Sequence, residues 1–364
     1  MFKSTRRLFR KQQNRCLAAV LLLFISSAGA AEPDVLSRCT AIPDQAERLS
    51  CYDKAAAEQK VAEAGENSAK QACGAGYTAL ARLWNTRPNC DSKLYQFLPY
   101  KQNYLIARYS GNPNNEPVSA KFGPARDQQL DNTELKFQVS LKVKVAEQMG
   151  GLADLWFGYT QQSNWQAFNG TNARPFRQSN YEPELVLGFP LHTEASMLGL
   201  TPRMINFGLD HQSSGQSDPF ERSWNRAYVQ FGVDRDIDQN PDRFALLVRA
   251  WYRIPEGKAE DDNPDIVHYL GYGDVLFFWR HGDSNLSALV RNNLQQQNNR
   301  GSVQLDWSIP ITRRPSLGNV DVARQNGREL RFYVQLFTGY GETLIDYNHY
   351  QTTIGIGLML SDWL

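Results

Sequence analysis

His211 and Ser213 stand one position apart at the end of an alternating run, Phe207-Gly208-Leu209-Asp210-His211-Gln212-Ser213. In an extended chain successive side chains point to opposite faces, so Ile205, Phe207, Leu209, His211 and Ser213 share one face. The first three are apolar, which makes that face greasy and a histidine at its edge out of place in a purely structural strand. Imidazole beside hydroxyl is the pairing of general base and nucleophile. In the next run, Ser223-Trp224-Asn225-Arg226-Ala227-Tyr228-Val229-Gln230-Phe231-Gly232-Val233, Asn225 shares its face with Ala227, Val229, Phe231 and Val233. If the two runs pair as a hairpin, Asn225 lies beside His211. Its amide can then accept from one ring nitrogen and leave the other to take the serine proton, a nucleophile, base and orienter with a neutral amide in place of the usual carboxylate. An isolated His-x-Ser is most often inert. Three polar residues on one apolar face carry more weight.

The elements that must position these residues read as strands. In Lys136-Phe137-Gln138-Val139-Ser140-Leu141-Lys142-Val143-Lys144-Val145 every odd position is apolar and every even one polar, and Ser302 to Ile309 alternates as strictly. Leu330 to Leu336, Phe244 to Tyr252 and Ile354 to Leu358 follow the same period less rigidly. Turns rich in Gly, Asn, Asp and Pro separate such runs: Gly111 to Asn115, Gly257 to Pro264 and Gln295 to Gly301. One polar and one apolar face suit either a half-solvated soluble sheet or a transmembrane barrel with lipid outside and a polar lumen. About a dozen strands of roughly 9–12 residues, the last running to the C-terminus, favour the barrel.

The composition is compatible with that choice. The 364 residues carry 39 basic and 38 acidic side chains, a net charge of +1, which gives no reason to expect a nucleic-acid partner. With 21% charged residues the chain cannot be a bundle of membrane helices, each needing about 20 nearly uncharged residues. The N-terminus supplies an address. Lys3, Arg6, Arg7, Arg10, Lys11 and Arg15 precede an apolar stretch from Leu17 to Ile25, and Ala28-Gly29-Ala30 offers small residues for cleavage, so residues 1–30 read as a secretory signal peptide. Basic and polar residues directly before Cys16 exclude a lipoprotein cysteine. The remaining cysteines, Cys39, Cys51, Cys73 and Cys90, are even in number and fit a disulfide-stapled segment in an oxidising compartment. Cys39–Cys51 and Cys73–Cys90 are the sequence-local pairs, and two other connectivities remain open. No Cys-x-x-Cys and no nearby histidine argues against zinc. Residues 44–72, rich in Ala, Glu, Lys and Gln, read as short exposed helices. The expected organisation is a signal peptide (1–30), a small helical, disulfide-bearing periplasmic segment (31–98) and a barrel (99–364), with the boundary near Pro99.

Five motifs follow one another along the barrel region: Tyr159-Thr160-Gln161-Gln162-Ser163, Pro175 to Pro183, His211-x-Ser213-x-Gly215-x-Ser217-Asp218-Pro219 followed by Arg222-Ser223-Trp224-Asn225-Arg226, then Asp261-Asp262-Asn263-Pro264-Asp265-Ile266, and Gly339 to Asn348. In residues and order they resemble the outer-membrane phospholipase A family, calcium-dependent lipases. The resemblance implies an all-β fold, a 12-stranded antiparallel transmembrane β-barrel in the bacterial outer membrane. It implies hydrolysis of acyl esters of glycerophospholipids and lysophospholipids, with Ser213 as nucleophile, His211 as base, Asn225 holding the tautomer and the Gly215 N–H in the oxyanion hole. It also implies Ca2+ held by Gln216, Glu221 and Asp262, with Asp218 close by and Ala173 where a ligand from a second subunit would sit. Two departures stand out: the family often has a basic residue at the position of Gln216 and a serine at that of Glu221. The N-terminal cysteine-bearing segment has no counterpart in the enterobacterial pattern.

The resemblance further implies activation by reversible homodimerisation along the lipid-facing sides. Gln161 shares a face with Phe157 and Tyr159, and a second barrel would satisfy an amide that hydrocarbon cannot. His192, His268, His281 and His349 suggest no cluster. Glu342 and Asp346 are expected in lumen ion-pair networks with residues such as Arg249, Arg280 or Arg331. Against the esterase stands a non-enzymatic porin or structural barrel, which has the same polar lumen face but no use for three polar groups facing lipid. A barrel modifying the acyl chains of lipopolysaccharide fits the motif order less well.

Overall fold

The computed structural model describes residues 39–40, 42–57, 60, 78–84, 94–171, 176–193, 195–235, 243–257, 259–311 and 330–362. The expectations for the signal peptide, Cys73, Cys90, Ala173 and the last two residues lie outside them.

Twelve antiparallel strands close into a barrel. They are β2 (Asn103–Ser110), β5 (Thr133–Met149), β6 (Ala153–Trp165), β7 (Gln178–Pro190), β8 (Thr201–Ser213), β9 (Ser223–Arg235), β10 (Arg243–Ile254), β11 (Gly273–His281), β12 (Ser284–Asn292), β13 (Gly301–Pro310), β14 (Arg331–Gly339) and β15 (Gln351–Ser361). Each pairs with its sequence neighbour, β15 pairs with β2, and β2 pairs with β5, so no strand is left with a free edge. A short β1 (Phe97–Pro99) lies along the same side of β5 as β2, and β3 (Val118–Ser119) pairs with β4 (Gly123–Pro124) in the β2–β5 loop.

The barrel is inside-out relative to a soluble protein, as the alternation requires. Glu134, Lys136, Ser140, Lys142 and Lys144 are buried, whereas Val139 between them is exposed. Asp306 and Ser308 point inward, and Leu305 and Trp307 outward. Buried charges are stable only when paired. Accordingly Glu134 meets Arg108 Nη1 at 2.7 Å and Arg177 Nε at 3.1 Å, and Glu342 meets Arg108 Nη2 at 2.6 Å and Lys136 Nζ at 3.0 Å. Glu342 and Asp346 thus join a lumen network as expected, but with other partners. Asp346 takes Arg177 Nη2 at 3.1 Å, while Arg249 is held by Asp274 at 2.6 Å and Arg331 donates to Ser308 and the Asp283 carbonyl. The β14–β15 loop folds inward over β2 and β5, a placement that strand parity does not reveal.

At the end of the barrel opposite this loop, the helix Ala79–Trp84 enters the lumen. Its Leu80 N–H donates to Asp234 Oδ2 (3.0 Å), and Trp84 packs edge-on against Tyr100 and Trp156. Contacts divide the chain at Ser68/Ala69, so this helix belongs to the barrel unit although it precedes Pro99. In the other unit, residues 45–57 are helical and mostly exposed, and the Cys39–Cys51 disulfide is formed.

Candidate active site

The register of β8 on β9 sets Asp210 opposite Arg226, His211 opposite Asn225 and Ser213 opposite Ser223. The even-numbered residues lock the two strands from inside. Arg226 pairs with Asp210 and reaches Glu182 at 3.0 Å, and the Trp224 indole donates to Gln212 Oε1 at 2.9 Å. The odd-numbered ones therefore face outward. Phe207 and Leu209 are more than half exposed, His211 is exposed, and Ser213 and Asn225 are half-buried. His211 Nδ1 lies 2.8 Å from Asn225 Oδ1. An amide oxygen only accepts, so this bond keeps the proton on Nδ1 and leaves Nε2 free to accept; Ser213 follows two residues along on the same face, with its hydroxyl not bonded to the ring.

Beyond Ser213 the chain turns through a tightly clamped loop. Ser214 N–H donates to the Arg222 carbonyl (2.8 Å), Arg222 N–H donates to Ser214 Oγ (3.0 Å), and that hydroxyl donates to the Phe220 carbonyl (3.1 Å). The buried Arg222 guanidinium donates to the Pro219 and Glu221 carbonyls. Gly215 has φ +60°, and a Cβ there would lie 2.4 Å from Tyr181 Cε2, so conformation and contact both require glycine. Ser223 N–H donates to Asn263 Oδ1 (3.1 Å), which ties the Asp261–Ile266 loop to this one.

Asp218, Glu221 and Asp262 meet where these loops join. Burial raises the Glu221 carboxyl above its ordinary range, and Asp262 and Asp218 push it the same way. Lys121 Nζ sits 2.7 Å from Asp262 Oδ1, and Asp218 and Glu221 also help keep it protonated. Among the described residues no three His, Cys, Asp or Glu side chains are gathered in metal-binding geometry. The donors present are oxygens, and their mutual repulsion is what a hard divalent cation relieves. The Gln216 side chain is committed to the Arg177 carbonyl (2.7 Å).

Residues 80–360 match the family model for Phospholipase A1. The chain belongs to that family. It is 36% identical to Phospholipase A1 of Escherichia coli K12, with 74% of this chain and 82% of that one covered. A relative from Neisseria meningitidis serogroup B is 32% identical over 97% of both chains, so it extends into the N-terminal region that the E. coli match omits. A solved structure of a Salmonella typhi outer membrane phospholipase dimer with bound calcium is 34% identical, covers 75% of this chain and 95% of that one, and superimposes with a TM-score of 0.61. This phospholipase is accordingly an outer-membrane enzyme that hydrolyses phospholipid esters.

In this phospholipase, Gln161 is not left unsatisfied on the lipid face. Tyr159 Oη donates to its Oε1 (3.3 Å) and its Nε2 donates to Ser163 Oγ (3.1 Å), which leaves the amide one further donor and one further acceptor site. Three neighbours of the site were given no role by the sequence. Lys121 carries no signal of its own, and Tyr181 lies inside the Pro175 to Pro183 motif without one. Glu256, whose Oε1 accepts from Asn225 Nδ2 at 2.7 Å, does carry one, since it continues the outward parity of Tyr252 and Ile254 into the loop.

Proposed function

We propose that this phospholipase A1 cleaves the acyl esters of glycerophospholipids and lysophospholipids through Ser213, His211 and Asn225, on the side of the barrel that meets lipid. The observation that carries the reading is the 2.8 Å bond between His211 and Asn225 on the face that Ser213 shares with Phe207 and Leu209. Scissile esters lie at the membrane interface, so substrate reaches this face by lateral diffusion.

In the acylation step His211 Nε2 takes the Ser213 proton as Oγ attacks the ester carbonyl carbon. The Nδ1–H bond to Asn225 supports the imidazolium that forms, and the Gly215 N–H donates to the developing oxyanion. Collapse breaks the ester bond, the leaving lyso-lipid oxygen takes the proton from Nε2, and an acyl-Ser213 remains. Water then loses a proton to His211 and attacks the acyl carbon; the acyl–Oγ bond breaks, His211 returns the proton to Ser213 Oγ, and the fatty acid is released. The Gln216 carbonyl and the Glu221, Asp262 and Asp218 oxygens would hold Ca2+, with Ala173 of a second barrel completing the site in a reversible homodimer. Bound there, the cation would stabilise negative charge on the reacting oxygen. Residues 1–30 act as the signal peptide, residues 31–98 as a periplasmic segment and residues 99–364 as the catalytic barrel.

The purified protein in detergent with calcium should hydrolyse phospholipid, and Ser213→Ala should abolish turnover while the barrel stays heat-modifiable on gels. Near-wild-type turnover by Ser213→Ala removes the mechanism. Full activity in EDTA removes the metal.

A further inference from the structure

Asn225 has a two-faced amide, and only one orientation serves a base. With Oδ1 toward His211, the ring proton is held on Nδ1 and Nε2 is free to accept. Rotated by 180°, the amide would donate to Nδ1, the proton would move to Nε2, and Nε2 could no longer take one. A carboxylate orienter is symmetric and has no such failure. A neutral amide needs something on its far side to choose between the orientations.

β10 provides it. The register places Ile254 directly opposite Asn225, so His211, Asn225 and Ile254 form one row across three strands. Glu256 follows two residues after Ile254, with the same outward parity, just past the strand end. Its Oε1 receives the Asn225 Nδ2–H at 2.7 Å. An ionised carboxylate can only accept, so a flipped amide would set two acceptors face to face. The charged groups that face Glu256 are Arg253, Asp261 and Asp262 besides the Asn225 amide; Arg253 is occupied by Asp261 (2.6 Å) and the Pro264 carbonyl (3.0 Å).

We infer that Glu256 is a positioning residue of this hydrolase, fixing the Asn225 amide in the orientation that gives His211 its catalytic tautomer and extending the relay to Ser213–His211–Asn225–Glu256. The inference rests on the Ser213 mechanism proposed above. Glu256 touches neither substrate nor reacting atoms and acts entirely through Asn225.

The test is a double-mutant comparison on the full-length protein in detergent with calcium and a soluble chromogenic ester. Glu256→Gln replaces the acceptor with an amide able to satisfy either orientation, accepting from Asn225 Nδ2 or donating to Oδ1. It should lower kcat about ten- to hundredfold, the weight of one hydrogen bond to a charged acceptor, and leave KM within about twofold. In an Asn225→Asp background the sign should reverse. There Glu256 sets a second carboxylate against the first, whereas the amide introduced by Glu256→Gln can donate to it, so Asn225→Asp/Glu256→Gln should be the more active of the two. A role confined to holding the loop predicts loss in both backgrounds. Equal loss in both, or Glu256→Gln within twofold of wild type, overturns the inference. If Ser213→Ala is as active as wild type, the failure lies in the proposed mechanism and not in Glu256.

Discussion

Gly215→Ala tests the oxyanion role with a single methyl group. At φ +60° an L-residue costs about 1–2 kcal/mol relative to glycine. The added Cβ would also lie 2.4 Å from Tyr181 Cε2 and 3.0 Å from Cδ2, distances that rigid carbon atoms do not tolerate. Tyr181 pairs with Ser213 across β7 and β8. Where the ring does not give way, the 214–222 loop must, carrying the Gly215 N–H away from the oxygen it is proposed to serve. Loss of one oxyanion donor costs about 10²–10³ in kcat, roughly 2.7–4 kcal/mol. The expected result is a kcat down about a hundredfold with the barrel still heat-modifiable. Tyr181→Leu/Gly215→Ala removes the overlap but keeps the backbone penalty, and should recover part of the loss. Steady-state hydrolysis of a chromogenic ester at saturating calcium measures both variants. A Gly215→Ala enzyme within threefold of wild type would show that this N–H does not serve the reaction.

Two further outcomes follow from the charges around the site. Lys121 competes with any cation for Asp262, so Lys121→Met should tighten calcium binding about two- to fivefold, the weight of a partly exposed ion pair. Calorimetric titration of the detergent-solubilised protein reads this without reference to turnover, and weaker binding would show that Lys121 shapes the site rather than filling it. In the lumen, burial alone would raise the Glu342 carboxyl, but Arg108 and Lys136 prevail and hold it at about 2, against an ordinary 4.5. A depressed acid stabilises the fold fully above its unfolded value and loses that contribution as the pH falls toward the folded one, here roughly 3 kcal/mol between about pH 5 and 2. Urea midpoints in micelles should therefore fall more steeply with acid for wild type than for Glu342→Gln; parallel profiles would contradict the assignment.

Strand parity carried most of what the sequence disclosed. Because the period is two, Lys136 to Val145 had to send its lysines inward and its apolar residues to lipid, and His211 and Asn225 had to share an outer face. Their meeting across one register step followed from the short loop between two strands of similar length. What parity could not supply was anything set by how loops fold. Lys121 reaches Asp262 from a separate loop, and Glu342 and Asp346 find Arg108, Lys136 and Arg177 because their loop turns into the barrel mouth. Gln161 bonds to Tyr159 and Ser163 on its own strand, neighbours that parity places on its face without saying that they bond. Glu256 was within reach of the parity argument but sits past the last regular position of its strand.

The neutral orienter proposed here suits where the site lies. On a lipid-facing surface a fixed carboxylate is paid for in desolvation, less than the about 2–4 kcal/mol of Arg or Lys near the bilayer midplane and less again toward the interface. Asn225 sits on that face at the start of β9, where an amide bonded on both sides costs little. Glu256, half-buried, lies beyond the end of β10 between the exposed Pro255 and Gly257. Dividing the proposed orienter in this way puts the neutral amide on the lipid face and the carboxylate past the strand end. Asn225→Asp alone reunites the two functions and sets its new charge against Glu256, so its activity should fall below wild type despite the more familiar triad. An Asn225→Asp enzyme more active than wild type would mean that neither lipid nor Glu256 bears on the orienter.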